Sequence, residues 1–193
     1  AKRLIENARQ IIGDAIGACR DDIVFTSGGT ESNALIVKGV MRANPDLRLI
    51  VSAIEHDAVR QQADDAIVAP VTEDGVLDLA GLKDILTNWS DTEKRPFLSL
   101  MLANNETGVM QPVAAAVELI REHDGLIHCD AVQALGKTPV SVINLGVDFL
   151  AMSAHKLRGP KGVGAVYIKP GSQIEPLYAG GGQETRRRSG TEN

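Results

Sequence analysis

The 193 residues suffice for one domain with a single buried core, without help from disulfides or a structural metal. Apolar residues make up 44% of the chain and aromatic residues only 3%, so Leu, Ile, Val and Ala must fill that core. The net charge of -5 is mild and basic residues gather on no predicted helix face, which argues against nucleic-acid or membrane partners.

The use of cysteine is typical of a reducing compartment, and the apolar runs are too short for a membrane span. Cys19 and Cys129 have neither metal-binding nor redox spacing. No apolar run approaches the roughly 18 residues that span a bilayer, and no signal peptide is visible. We therefore expect a cytoplasmic protein that acts on small molecules. Because the chain lacks an initial Met and opens within a predicted helix, we also expect it to be truncated at its start.

Strands and helices alternate along the chain. The patterns predict, in order, helix 1–16, strand 23–26, helix 31–42, strand 47–52, helix 57–65, strand 67–71, helix 78–86, a polar connector at 87–96, strand 97–102, helix 113–123, strands 126–129, 149–152 and 164–168, and an exposed loop at 180–193. This alternation predicts one α/β domain over residues 1–193, with three α/β/α layers and a mostly parallel sheet. Ligands of such sheets bind at the carboxyl ends of the strands.

The loop at residues 27–33 is a candidate anion site. It joins a predicted strand to a predicted helix, so Gly28 and Gly29 allow a ligand to come close, and backbone N–H groups at the helix start are left without partners. The same residues also fit an ordinary turn with Thr30 as the helix N-cap. The spacing alone does not decide between these interpretations.

A second candidate is Lys156, which follows the predicted strand 149–152. An amine must be uncharged to attack a carbonyl carbon, and desolvation beside cations such as His155 or Arg158 would favour that form. Such a lysine could form a Schiff base with a carbonyl ligand. The alternative is a surface lysine in a basic turn.

Asp130 ends the predicted strand 126–129 and is the third candidate. A buried Asp needs a partner, and a protonated heteroaromatic nitrogen would be suitable. Strand alternation puts His128 and Asp130 on one face and Cys129 on the other, which disfavours a metal site. The alternative is an Asp that caps the following turn.

Residues 131–138 fit a permissive form of the nucleotide-binding P-loop, with Ala131 in place of the first Gly. In a P-loop the Lys-Thr pair begins a helix, but Pro139 disfavours a helical Thr138. Residues 140–143 are predicted to be extended. We therefore keep a P-loop domain only as an alternative.

Six motifs in one order resemble the cysteine desulfurase branch of the class V aminotransferase-like enzymes. They lie at residues 29–33, 55–56, 104–108, 130–133, 153–156 and 188–191. The ordered set is far more specific than any single member. The resemblance implies the large domain of a fold-type I enzyme that depends on pyridoxal 5'-phosphate.

The resemblance implies roles around the cofactor ring. Lys156 would carry the cofactor as a Schiff base and later move protons at the substrate α-carbon, and His56 would stack on the ring. Asp130 would pair with the ring nitrogen and keep it protonated. Gln133 and Asn105 would hold the side of the ring that bears the hydroxyl.

The resemblance also implies a phosphate site. Gly29, Thr30, Ser153 and His155 would bind the phosphate through backbone N–H groups and side-chain donors. Thr191 would reach the phosphate of a neighbouring subunit, which implies a homodimer.

The implied reaction converts L-cysteine to L-alanine and passes the sulfur on as a persulfide for iron–sulfur cluster or thio-cofactor assembly, through an acceptor or scaffold protein. Neither Cys19 nor Cys129 matches the persulfide cysteine of the family, and we expect the small C-terminal domain to be absent and the isolated chain to be inactive. The alternatives within the family are a class V aminotransferase and a selenocysteine lyase. A non-catalytic dimerisation fragment is a third class of alternative.

Overall fold

A computed structural model describes residues 2–89 and 94–191. Six α-helices are present in these residues: α1 (Lys2–Ile16), α2 (Gly29–Ala43), α3 (Asp57–Arg60), α4 (Leu79–Thr87), α5 (Val113–Arg121) and α6 (Val142–Leu145). They alternate with the strands β1 (Ile23–Thr26), β2 (Leu47–Ser52), β3 (Ile67–Ala69), β4 (Arg95–Met101), β5 (Leu126–Asp130), β6 (Phe149–Ser153) and β7 (Gly164–Ile168).

The described strands form one seven-stranded sheet with the order β1-β7-β6-β5-β4-β2-β3. Strands β3, β2, β4, β5 and β6 are mutually parallel, and β7 is antiparallel to both β6 and β1. Strand β1 therefore runs in the same direction as β6. The prediction of a mostly parallel sheet is confirmed.

The core lies on both faces of the sheet. Apolar side chains of α2 and α3 cover one face, and those of α1, α4, α5 and α6 cover the other. Strand β5 shows the alternation. Ile127 and Cys129 pack on the face covered by α1, α4, α5 and α6, while His128 and Asp130 point towards α2 on the other face. This confirms the three-layer prediction, and it puts the carboxyl ends of six strands and the start of α2 at one edge.

Several predicted boundaries are wrong. Helix α3 ends at Arg60 rather than at residue 65, because residues 61–65 are polar or small and offer no apolar stripe. Strand β3 ends at Ala69 rather than at residue 71. Helix α2 begins two residues earlier than predicted, so its N-cap is Gly28 and not Thr30.

The segment 140–143 is not extended throughout, as predicted, because α6 begins at Val142. The Ser141 hydroxyl accepts a hydrogen bond from the Asn144 N–H, and Gly146 ends the turn with a φ of 71°. These two caps stabilise a single helical turn despite its β-branched residues. Residues 90–93 of the predicted connector and 192–193 of the predicted loop lie outside the described residues.

A close backbone contact fixes the turn before α2. A Cβ atom built on Gly164 of β7 would lie 2.6 Å from the Cα atom of Gly28, so the two chains approach as only glycine permits. Gly28 itself has a φ of 153°. In the part of the chain that the structure describes, no helix is long and apolar enough to cross a membrane.

Candidate functional site

One cavity of about 310 Å³ lies at the edge where the parallel strands end. Eight of the predicted site residues line it, namely Gly29, Thr30, His56, Asn105, Asp130, Gln133, His155 and Lys156. They come from segments that are far apart in sequence, and the sheet brings them together. In particular, Lys156 and the turn at residues 28–30 lie on the same side of the sheet.

Asp130 is the buried charge centre of the cavity. Its side chain accepts hydrogen bonds from the Val132 N–H at 2.9 Å and from the Asn33 amide at 2.7 Å. Burial raises the pKa of Asp130, although these two donors act in the opposite direction. A buried carboxylate of this kind is suited to a cationic partner.

His56 is the N-cap of α3, and its imidazole is oriented by the backbone. The Ala58 N–H donates to Nδ1 at 2.9 Å, so in the neutral ring the proton belongs to Nε2. The exposed ring lines the cavity and can lie against a flat ligand.

Lys156 lies in a single 3-10 turn, Ala154–Leu157, directly after β6. The turn carries the side chain out over the cavity mouth, where Lys156 is exposed. The described residues of the chain therefore leave the amine of Lys156 in contact with solvent. Next to it, the buried Ser153 hydroxyl forms a 2.9 Å hydrogen bond with Nδ1 of His155 and holds that ring in place.

The start of α2 forms another wall. Its first N–H groups have no partner within the helix, and the helix dipole favours an anion there. Gly29 allows the helix to lie close to the loop after β5, since an added Cβ would be 3.0 Å from Val132. The Gly29 and Thr30 positions are thus open to an anionic group.

Ser153 and Thr191 do not line this cavity. Ser153 lies behind His155, whereas Thr191 lies by a second cavity of about 360 Å³ that is shared with Phe25, Ser27 and α1. The structure therefore does not bring Thr191 to the site of its own chain.

The P-loop alternative is not supported by the local geometry. Residues 131–138 form turns, and no helix begins at Lys137 or Thr138. Lys137 Nζ instead donates to Oε1 of Gln133 at 2.6 Å. Within residues 2–89 and 94–191, no cluster of three or more His, Cys, Asp or Glu side chains is placed to hold a metal ion.

Sequence reasoning missed two buried groups at this edge. Asn33 belongs to a quoted motif but had no assigned role, and it binds Asp130. Glu55, beside His56, is buried and accepts from the Met101 N–H at 2.7 Å and from the Ser52 hydroxyl at 2.9 Å. The available signal for Glu55 was its place in the quoted motif at residues 55–56, beside His56.

The described part of the loop predicted at 180–193 is exposed over most of its length, as expected, but two of its charged residues anchor it to the rest of the chain. Glu184 is buried and forms a two-pronged ion pair with Arg9 at 2.7 and 2.9 Å, and it accepts from the Phe25 N–H. Arg188 binds Glu31 at 2.8 Å, close to the turn before α2. The charged side chains of Glu184 and Arg188 are thus stabilised by partners that are distant in sequence but adjacent in the fold.

The sequence model of the family described as "Aminotransferase class-V" matches residues 1–192. The chain belongs to this family. Membership in the class-V family implies pyridoxal phosphate as the cofactor. The mostly parallel seven-stranded sheet with helices on both faces agrees with this membership, because it is also the architecture of NifS-like structures, which have fold type I.

Curated relatives of this class-V chain are named cysteine desulfurases. The chain is 45% identical over 198 residues to cysteine desulfurase IscS of Dictyoglomus turgidum. This match covers 98% of the chain and 49% of that protein. It is 41% identical over 202 residues to the mitochondrial cysteine desulfurase of Arabidopsis thaliana, which covers 99% of this chain and 44% of that protein.

A solved structure with the same fold is the NifS-like protein from Rickettsia africae. It has a TM-score of 0.91 and 37% identity and covers 100% of this chain and 54% of that chain. The chain thus spans about half the length of the relatives that it matches.

Proposed function

We propose that this class-V chain is the large, cofactor-binding domain of a cysteine desulfurase. The full-length enzyme would convert L-cysteine to L-alanine and pass the sulfur on as a persulfide for iron–sulfur cluster or thio-cofactor assembly. The observation that carries the proposal is the single cavity that combines Lys156, Asp130 and the start of α2. The similarity to cysteine desulfurases supplies the substrate.

The residues fit pyridoxal phosphate. At one end, the N–H groups at Gly29 and Thr30 and the His155 ring would bind the phosphate. Asp130 has two donors but keeps acceptor capacity, and its buried charge suits the ring nitrogen. Lys156 would hold the aldehyde carbon.

Three further side chains would orient the ring. His56 would lie against its face, and Gln133 and Asn105 would contact the side that bears the hydroxyl. Ser153 would act through His155, to which it is hydrogen-bonded.

When bound, the cofactor supplies an electron sink for the bonds at the substrate α-carbon. The side chains of this chain orient it and move protons. Asp130 would keep the ring nitrogen protonated, since two N–H donors stabilise its carboxylate. The Lys156 amine would take and return a proton at the α-carbon.

The sulfur acceptor is a separate part of the proposal. Cys129 is buried in β5 and Cys19 is exposed near the end of α1, and neither lines the cavity. We propose that the persulfide cysteine belongs to the remainder of the full-length protein. Thr191 would serve the site of a second copy in a homodimer, and a scaffold protein would receive the sulfur.

The lysine assignment is tested by reduction and peptide mapping. The full-length protein is incubated with pyridoxal phosphate, reduced with borohydride and digested. We expect the pyridoxyl label on Lys156, and Lys156→Ala should lose it while Lys161→Ala should retain it. A label on any other lysine would contradict the assignment.

Product analysis separates the members of the family. With L-cysteine, the full-length protein should form equal amounts of alanine and reducible sulfur. Turnover of selenocysteine alone, or transfer of an amino group to a keto acid, would favour the lyase or the aminotransferase instead.

A further inference from the structure

A buried hydrogen bond joins the start of α2 to the end of β5. Asn33 is 1% exposed, and its Nδ2 donates to Oδ2 of Asp130 at 2.7 Å. The donor must be the amide nitrogen, because an ionised carboxylate only accepts. The two residues are 97 positions apart in the chain.

Asn33 lies one helical turn after Gly29, and residues four apart share one face of a helix. The face of α2 that bears the proposed phosphate site therefore also bears the amide that holds Asp130. Both Gly29 and Asn33 line the cavity. One rigid helix thus contacts both ends of the proposed cofactor site.

The Asp130 carboxylate is held at two points. The Val132 N–H fixes Oδ1 from the loop after β5, and Asn33 fixes Oδ2 from the opposite layer. Without Asn33, the carboxylate could rotate about its remaining bond. Oδ1 of Asn33 is buried and has no partner in the described part of the chain. The hydrogen bond to Asp130 therefore sets the orientation of the Asn33 amide.

We propose that Asn33 is a positioning residue that fixes the plane of the Asp130 carboxylate relative to the start of α2. It thereby sets the spacing between the ring-nitrogen partner and the phosphate site. This inference rests on the proposed function. It also defines the orientation in which a flat, protonated heteroaromatic ring can pair with Asp130.

The test compares Asn33→Ala and Asn33→Leu, which keeps the branched shape of the side chain, with a matched control, Ser99→Ala. Ser99 forms a buried 2.9 Å hydrogen bond with His128 on the same face of the sheet, but it does not line the cavity. The control therefore reports the effect of losing a buried hydrogen bond as such.

The first measurement uses the full-length protein without cofactor. The ¹³C signal of the Asp130 carboxyl group is followed against pH. Ionisable groups at this edge of the sheet include Glu55, His56, His155 and Lys156, and no variant alters them. We expect the titration midpoint of Asp130 to rise in both Asn33 variants and to stay unchanged in Ser99→Ala.

The second measurement uses pyridoxal phosphate itself. We expect both Asn33 variants to bind it at least about tenfold more weakly, since hydrogen bonds to charged groups are the strong ones, and to shift the absorption band of the bound cofactor. Ser99→Ala should keep the wild-type band. Asn33→Leu keeps the interior filled, so it separates the lost bond from a cavity effect.

The outcomes distinguish this inference from the proposed function. An unchanged Asp130 titration, or cofactor affinity and absorption equal to those of Ser99→Ala, overturns the role of Asn33 and leaves the cofactor site standing. If the wild-type protein binds no pyridoxal phosphate, the proposed function fails, and the cofactor role of Asn33 fails with it.

Discussion

The pH dependence of stability should be set largely by Glu55. Its Oε1 accepts two hydrogen bonds, but its Oε2 is buried without a partner in the described residues. Burial raises the pKa of Glu55 from 4.5 to about 8. Between these values the native protein keeps a proton that the unfolded chain has released, so the free energy of unfolding falls as pH rises.

His128 acts at the acid end. Burial lowers the pKa of His128 from 6.5 to about 3, so the unfolded chain binds a proton that the native state lacks. This makes the free energy of unfolding fall as pH drops below 6.5. The contributions of Glu55 and His128 to the free energy of unfolding therefore oppose each other between pH 4.5 and 6.5.

The perturbation is Glu55→Gln, which keeps both accepted hydrogen bonds and replaces the ionisable carboxyl group with a neutral amide. A pKa difference of one unit corresponds to about 1.4 kcal/mol, so the stability of the variant relative to wild type should increase by about 2.7 kcal/mol from about pH 5.5 to about pH 7.5. The amide NH₂ would take the place of Oε2, which has no hydrogen-bond partner in the described residues, and this lowers the stability of the variant by a similar amount at every pH. The slope is therefore the diagnostic quantity.

Urea unfolding of cofactor-free protein at several pH values measures this slope. Glu106→Gln is the matched control, because it removes one exposed carboxylate near the same edge of the sheet. Its profile should run parallel to that of the wild type. If Glu55→Gln also runs parallel to the wild type, the protonated state of Glu55 at neutral pH is refuted.

Two further changes test how the site is supported. Arg9→Ala leaves the Glu184 carboxylate buried without its ion-pair partner, so it should lower the free energy of unfolding by about 3–5 kcal/mol. Arg20→Ala removes an exposed ion pair and should lower it by less than about 1 kcal/mol in the same denaturation assay. Equal losses would contradict the anchoring role of Arg9. Gly164→Ala brings a Cβ against Gly28, so it should lower the free energy of unfolding by about 1–3 kcal/mol and weaken cofactor binding. At Gly182 the nearest neighbour of an added Cβ is 3.4 Å away, so Gly182→Ala should leave stability and cofactor binding nearly unchanged. A fully stable Gly164→Ala protein with normal cofactor binding would show that the turn tolerates displacement.

Local patterns predicted most of the fold. The strands at 23–26, 47–52 and 164–168 have the predicted bounds, because a buried strand reveals itself as a short apolar run between turn signals. Helix α3 was predicted too long, because no Gly or Pro follows Arg60 to mark an end, although residues 61–65 offer no apolar stripe to pack on the core. The motifs located eight residues of one cavity, while their roles remain predictions.

The sequence by itself determined the order of elements, the sheet type and the candidate residues, because these follow from short-range periodicity and from motif identity. Only the tertiary structure decided the partners: Asn33 with Asp130, Glu184 with Arg9, and the burial of Glu55. Such pairs join segments 97 and 175 residues apart, so they depend on strand order and register. Whether an ionisable side chain is buried depends on the partners that the assembled layers bring to it and on how far those layers exclude water. No local sequence pattern encodes contacts between residues so far apart in the chain.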